Sequence, residues 1–227
     1  MNRNIILIGI ALLICSCGNP ADHEQGSDQQ AGSDSVSEDQ LNSPGVGLPL
    51  QRAEGLVDRA KVETYLCGMN CSEAGPLEAG SPKEAAWLIK HGYPSAAEKF
   101  RLESLSRDAL RQEVESGSLP GAVEYGRRLA LEENMLDGKI VLREQAQSGN
   151  IFAYYGLAAV SANGSPPSLV DTAAYLRMAY MLGDDRAALE IAKMRLTSAE
   201  LVAADKRASH LFSGYAGEQL RDPRPQD

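Results

Sequence analysis

The sequence predicts an all-α protein, a solenoid of stacked helical hairpins, and three observations point to it. From residue 51 to about residue 212, alanine, leucine, arginine and glutamate dominate, while valine, isoleucine and threonine are sparse. That balance favours helix over strand. Breakers recur at Gly92-Tyr93-Pro94, Ser116-Gly117-Ser118-Leu119-Pro120, Ser148-Gly149-Asn150, Asn163-Gly164-Ser165-Pro166-Pro167 and Leu182-Gly183-Asp184. They cut the segment into helices of about 10 to 15 residues. Glycines follow the predicted helix ends at 92, 117, 149, 183 and 214, in steps of 25, 32, 34 and 31 residues. A period in the low to middle thirties built from helix–turn–helix units marks an α-α superhelix.

The helix starts agree with the stops. Ser81 followed by Pro82 forms an N-cap and first helical residue. Ser168 with Asp171 forms a capping box, and Thr197 or Ser198 with Glu200 opens the last helix. Trp87, the single tryptophan, is expected in the core of the first hairpin, and His91 closes a helix where a cation suits the dipole. The tail after Gly214, with Asp222-Pro223-Arg224-Pro225, is expected to fray.

Within this frame, small residues recur at fixed places. Alanine-bearing helices follow the glycines at Ala122-Val123-Glu124-Tyr125-Gly126, Ala153-Tyr154-Tyr155-Gly156 and Ala187-Ala188-Leu189-Glu190. Residues 152–187 resemble one Sel-one-like repeat, a variant of the tetratricopeptide repeat. Ala153, Tyr155 and Gly156 match its first helix and Asn163-Gly164 its loop. Ala174-Tyr175-Leu176-Arg177-Met178-Ala179-Tyr180-Met181-Leu182-Gly183 matches its second helix. Residues 117–149 match more loosely, with Glu133-Asn134-Met135 in place of the loop glycines. The resemblance covers about 70 residues and implies a protein-binding scaffold. Tyr155, Gly156, Ala179 and Gly183 are expected to pack rather than to bind.

The chain opens differently. Residues 5–14 are apolar apart from Gly9, and as a helix they would reach about 15 Å, half of a bilayer core. That length suits the apolar region of a signal peptide. Ile14-Cys15-Ser16-Cys17 then resembles a bacterial lipobox, which implies lipidation of Cys17 and a membrane anchor. Gly18 stands where inner-membrane lipoproteins carry aspartate, so the resemblance favours the outer membrane, facing the periplasm. A plain secreted protein or a short uncleaved anchor are the alternatives. Between residues 18 and 47 there are six acids, no lysine or arginine, and few apolar residues. Such a segment cannot offset its ordering entropy and is expected to be a disordered tether. The expected organisation is therefore a signal peptide (1–16), an acidic tether (17–47), a helical-repeat domain (48–213) and a flexible tail (214–227).

Charge and chemistry narrow the function. The net charge is −9, and the part from residue 47 onward holds 25 acids and 21 bases. This argues against nucleic acid, which needs a basic face, and leaves no polybasic patch for anionic lipid. Cys67 and Cys71 are expected to form a disulfide in an oxidising envelope. A redox pair more usually has two intervening residues rather than three, and a metal site would lack ligands, since the domain contains only His91 and His210. Serine–lysine pairs, nucleophile elbows and phosphate-cradling loops are not found. No catalytic residue, metal or cofactor is therefore assigned. The leading expectation is a non-catalytic scaffold for a protein partner. The alternatives are an immunity-type lipoprotein that neutralises a secreted effector, an envelope enzyme, and a purely structural component. Exposed tyrosine and arginine are the usual interface anchors, which singles out Tyr154, Arg127 and Arg128. Tyr154 and Tyr155 are adjacent on one helix and cannot share a face, so one of them is expected at the surface.

Overall fold

The computed structural model describes residues 58–68, 75–215 and 221–226, all within the unit Arg52–Asp227. The expected signal peptide, Cys17, the tether and Cys71 lie outside the described residues. The described part is all-α, with α1 (Arg59–Glu63), α2 (Pro82–Lys90), α3 (Ala96–Ser104), α4 (Arg107–Glu115), α5 (Leu119–Glu132), α6 (Met135–Gln147), α7 (Phe152–Asn163), α8 (Leu169–Leu182), α9 (Arg186–Lys193) and α10 (Ser198–Tyr215). There is no strand among the described residues. An isolated bridge between Leu66 and Ala79 closes the loop that carries Cys67, which is disulfide-bonded.

Serine begins five of these ten helices. Ser81, Ser95, Ser106, Ser118 and Ser168 each accept a hydrogen bond from the amide three residues on. Each satisfies a helical N–H that has no carbonyl partner, an effect of about 1 kcal/mol. At α10 the choice between Thr197 and Ser198 falls to Thr197. Its Oγ1 accepts from the Glu200 amide at 3.3 Å, and the Thr197 amide donates to the Glu200 carboxylate at 2.8 Å, a reciprocal capping box. These bonds from Thr197 hold the Glu200 carboxyl below its ordinary pKa.

At the other ends, Gly92, Gly117, Gly149 and Gly183 all have positive φ, as helix-terminating glycines should. Gly214 departs from the expectation. It lies inside α10, one residue before its end, so the last of the five glycines is not a terminator.

Helices α5 and α6 form an antiparallel hairpin. Gly138 on α6 lies against α5 so closely that a Cβ there would sit 2.3 Å from the Ala130 amide nitrogen and 2.4 Å from the Gly126 carbonyl oxygen. Helices α7 and α8 repeat the arrangement. The end of α7 meets the start of α8, where the Ser168 amide donates to the Ser161 carbonyl and Thr172 Oγ1 to the Ser168 and Ala158 carbonyls. The second hairpin packs on the first through α7, which touches both α5 and α6. Helix α10 then lies against α8, tied by Arg177 to Asp205 at 2.7 Å and Arg207 to Asp171 at 3.3 Å.

Helix α7 is thus covered on several sides, and Ala153, Tyr154, Gly156, Leu157, Ala158, Val160 and Ser161 are all buried. Leu142, Leu157, Val160, Met178 and Ala179 make the centre of one continuous core with Trp87, Leu88 and Tyr93.

Alanine at position 138 would gain about 1 kcal/mol of intrinsic helix propensity. Because its Cβ would meet backbone rather than a movable side chain, Gly138→Ala is nevertheless expected to lower stability by about 1 to 3 kcal/mol. Urea denaturation measures this, and a stabilised variant would show that α5 and α6 do not approach so closely.

Candidate functional site

The odd-numbered helices from α3 to α9 converge on one groove of about 340 Å³. Helix α3 contributes Lys99, Leu102 and Glu103, and α5 contributes Pro120, Val123, Glu124 and Arg127. Helix α7 adds Phe152, Tyr155, Gly156 and Ala159, and α9 adds Glu190. The apolar residues form the floor. Charges border it as local pairs: Lys99 with Glu103 at 3.8 Å, Arg127 with Glu124 at 2.6 Å, and Lys193 with Glu190 at 2.7 Å. Phe152 and Tyr155 are stacked in it, 5.8 Å between ring centroids and 24° apart. Gly156 keeps the floor low, since a Cβ there would come within 2.7 Å of Leu142 and 2.8 Å of Val123.

The three residues proposed from the sequence fall in three different environments. Arg127 lies on the groove wall, partly exposed and held by two hydrogen bonds to Glu124. Arg128 closes the end of α3 instead, donating to the Glu103 and Leu105 carbonyls. Tyr154 is a correction: it is 2% exposed, and the half-buried Tyr155 faces the groove. Adjacent residues on a helix do point apart, but α7 is packed on both faces, so pointing apart does not bring Tyr154 to solvent.

Behind the groove lies a polar cluster that the sequence did not reveal. Asp184, at the end of α8, is fully buried. Its Oδ2 accepts from the hydroxyls of Tyr93 at 2.7 Å and Tyr155 at 2.6 Å. Its Oδ1 accepts from the Arg186 amide and from Arg224 Nη1, both at 3.2 Å. Glu84 on α2 is also buried. It accepts from the Gly80 amide at 2.6 Å, Arg224 Nε at 2.6 Å and Arg186 Nη2 at 3.2 Å. Arg224 completes its own set with the Pro76 and Glu78 carbonyls and lies over the Trp87 ring. The two buried carboxylates are balanced by the buried Arg224 and by Arg186, whose side chain reaches Glu84 from the partly exposed edge; an unbalanced charge there would be costly. Burial first, then Asp184, pushes the Tyr93 and Tyr155 hydroxyls well above their ordinary pKa, so both remain donors.

Arg224 belongs to the segment expected to fray, which is the second correction. Residues 221–226 instead form a strap across the ends of α2 and α8. The Asp222 and Arg224 amides donate to the Leu182 and Gly183 carbonyls, Trp87 Nε1 donates to the Asp222 carbonyl at 3.0 Å, and Lys90 and His91 reach the Asp222 carboxylate. Gly183 admits this crossing. Its φ is +127°, and a Cβ would sit 2.1 Å from the Asp222 carbonyl oxygen. A signal was present in Pro223 and Pro225, which fix the backbone on either side of Arg224 and lower the entropy lost when the segment docks.

Both carboxylates are buried, and each accepts from several donors. No group of histidine, cysteine and acidic residues suited to a metal occurs among the described residues. Comparison with known proteins gives no match: no family model, curated protein or solved structure is similar to this chain.

Arg224→Met keeps much of the side-chain volume and leaves Glu84 and Asp184 short of a buried cation. A loss of about 3 to 5 kcal/mol is expected, measured by chemical denaturation. A loss below 1 kcal/mol would show that the strap does not neutralise the cluster.

Proposed function

We propose that this protein is a non-catalytic scaffold that binds a protein partner through stacked helical hairpins of the tetratricopeptide type. It is carried in the bacterial envelope as a lipoprotein anchored at Cys17. One observation carries the binding part: alternate helices, α3, α5, α7 and α9, each present residues to a single groove with an apolar floor and a charged border. Such a border sets orientation and the floor supplies affinity, as at the centre and rim of protein interfaces. Stacked hairpins favour this because each adds one helix to the same face. The solenoid reading rests on the two antiparallel hairpins α5–α6 and α7–α8 packed in series. The anchor reading rests on the sequence around Cys17. No helix among the described residues is long and apolar enough to cross a membrane.

The binding test uses the full chain in envelope extracts, with cross-linking and mass spectrometry to identify what it holds. Ala159 is a partly exposed groove residue on α7, and Ala159→Trp fills the groove. The expected result is one partner whose capture falls more than tenfold in this variant at unchanged thermal stability. Equal capture by both proteins would move binding off the groove, and turnover of an envelope substrate would replace the scaffold reading.

The anchor is tested separately. Cys17→Ala is expected to move the protein from the membrane fraction to the soluble one, because the acyl chains supply about 0.8 kcal/mol per buried methylene. Retention in the membrane fraction would overturn the lipoprotein reading.

A further inference from the structure

The 221–226 strap is held in the way an extended peptide is held by a receptor. The Asp222 and Arg224 amides donate to the Leu182 and Gly183 carbonyls at 3.2 and 2.9 Å, and the Asp222 carbonyl accepts from Trp87 Nε1 at 3.0 Å. Alternate side chains are read in turn: Asp222 by Lys90, Arg224 by Glu84 and Asp184, and Gln226 by Asp185. Pro223 and Pro225 between them carry no N–H that would need a partner. Main-chain bonds that supply affinity, with alternate side chains that supply specificity, are a recurring mode of peptide recognition.

The central position is cut for one chemical group. Arg224 Nε donates to Glu84 at 2.6 Å, Nη1 to Asp184 at 3.2 Å and the Pro76 carbonyl at 3.0 Å, and Nη2 to the Glu78 carbonyl at 2.7 Å. The Trp87 ring covers the guanidinium at 5.8 Å. All three nitrogens are thus engaged by acceptors that lie in different directions. A lysine ammonium presents its donors from a single point and cannot span them.

The receiving residues also have supports of their own. Glu84 accepts from the Gly80 amide and Arg186, and Asp184 from the Tyr93 and Tyr155 hydroxyls and the Arg186 amide. A site shaped by such bonds loses little freedom when it is filled. Two buried acids with Arg186 leave one positive charge for the occupant to supply.

We propose that Glu84, Asp184 and Trp87 form an arginine-selective peptide site, which the strap fills in cis and which can take in trans an extended segment with arginine between two prolines. The bonds described come from five consecutive residues, 222–226, so recognition belongs to the short segment and does not require its covalent link to α10. This site is independent of whether the groove receives a partner.

The test uses the full-length Arg224→Ala protein and a fluorescent peptide with the sequence of residues 221–226, followed by anisotropy. Saturable binding is expected, at least tenfold weaker for the same peptide with lysine in place of Arg224, and at least tenfold weaker when Glu84→Gln is added to the protein. No binding to the folded variant at millimolar peptide, equal binding of the two peptides, or indifference to Glu84→Gln would overturn the site. If Arg224→Ala does not fold, the unaltered chain decides. Millimolar peptide matches the effective concentration of a tethered segment and is expected to displace the strap. Hydrogen-exchange protection at the Asp222 and Arg224 amides should then fall at least tenfold with the arginine peptide and hold with the lysine one. Equal protection under both peptides would overturn the proposal.

Discussion

Two carboxylates cannot share a dry interior unless cations come with them, and the core of this protein is arranged around that constraint. Glu84 and Asp184 lie a hundred residues apart in sequence, on α2 and after α8, and both accept from Arg224. Arg224 is delivered by a segment outside the helical array. Its guanidinium spans the two acids, the loop carbonyls of Pro76 and Glu78, and the face of Trp87. The first helices, the central hairpins and the strap therefore meet at one group. Ion pairs of this kind add little net stability over an apolar filling, but removing one member leaves an uncompensated charge. What the cluster supplies is a single way for these elements to fit.

The groove depends on the same arrangement. Tyr155 lines it with one ring face and gives its hydroxyl to Asp184, and Tyr93 reaches the same oxygen and lies edge-on to Tyr155 at 5.8 Å. The groove wall and the buried charges are joined through these two hydroxyls. The anchored hydroxyls hold the Tyr155 ring in place at the groove.

Much of the helical pattern was legible locally. Ser81, Ser168 and the glycines at 92, 117, 149 and 183 act on neighbours within a few residues, so their chemistry can be read where they stand. Gly214 matched the spacing without ending its helix, because periodicity alone does not report φ. Tyr154 failed for another reason: an exposed face was inferred from one helix, whereas exposure is set by how many neighbours cover it, and α7 is covered by α5, α6 and α8. The Arg224 cluster was illegible because its pairs span 40 and 140 residues, and no local pattern marks a partner at that distance. The polar, proline-rich surroundings of Arg224 suggested a loose end, although those prolines also make a short segment inexpensive to order. The groove was anticipated only as a face of stacked hairpins. Its lining residues needed the packing of α3 and α9, which the repeat pattern did not include.

The position of Arg224 along the chain also bears on the order of assembly. Whether the polypeptide is threaded from a ribosome or across a membrane, its N-terminal part emerges first. At synthesis rates of about 5 to 20 residues per second, Asp184 precedes its cation by roughly 2 to 8 s, and Glu84 by roughly 7 to 28 s. During that interval the helices can form and pair, but the two acids have no Arg224 to neutralise them and Trp87 has no strap above it. The charge balance of the core is therefore completed only when the last of its members, Arg224, follows.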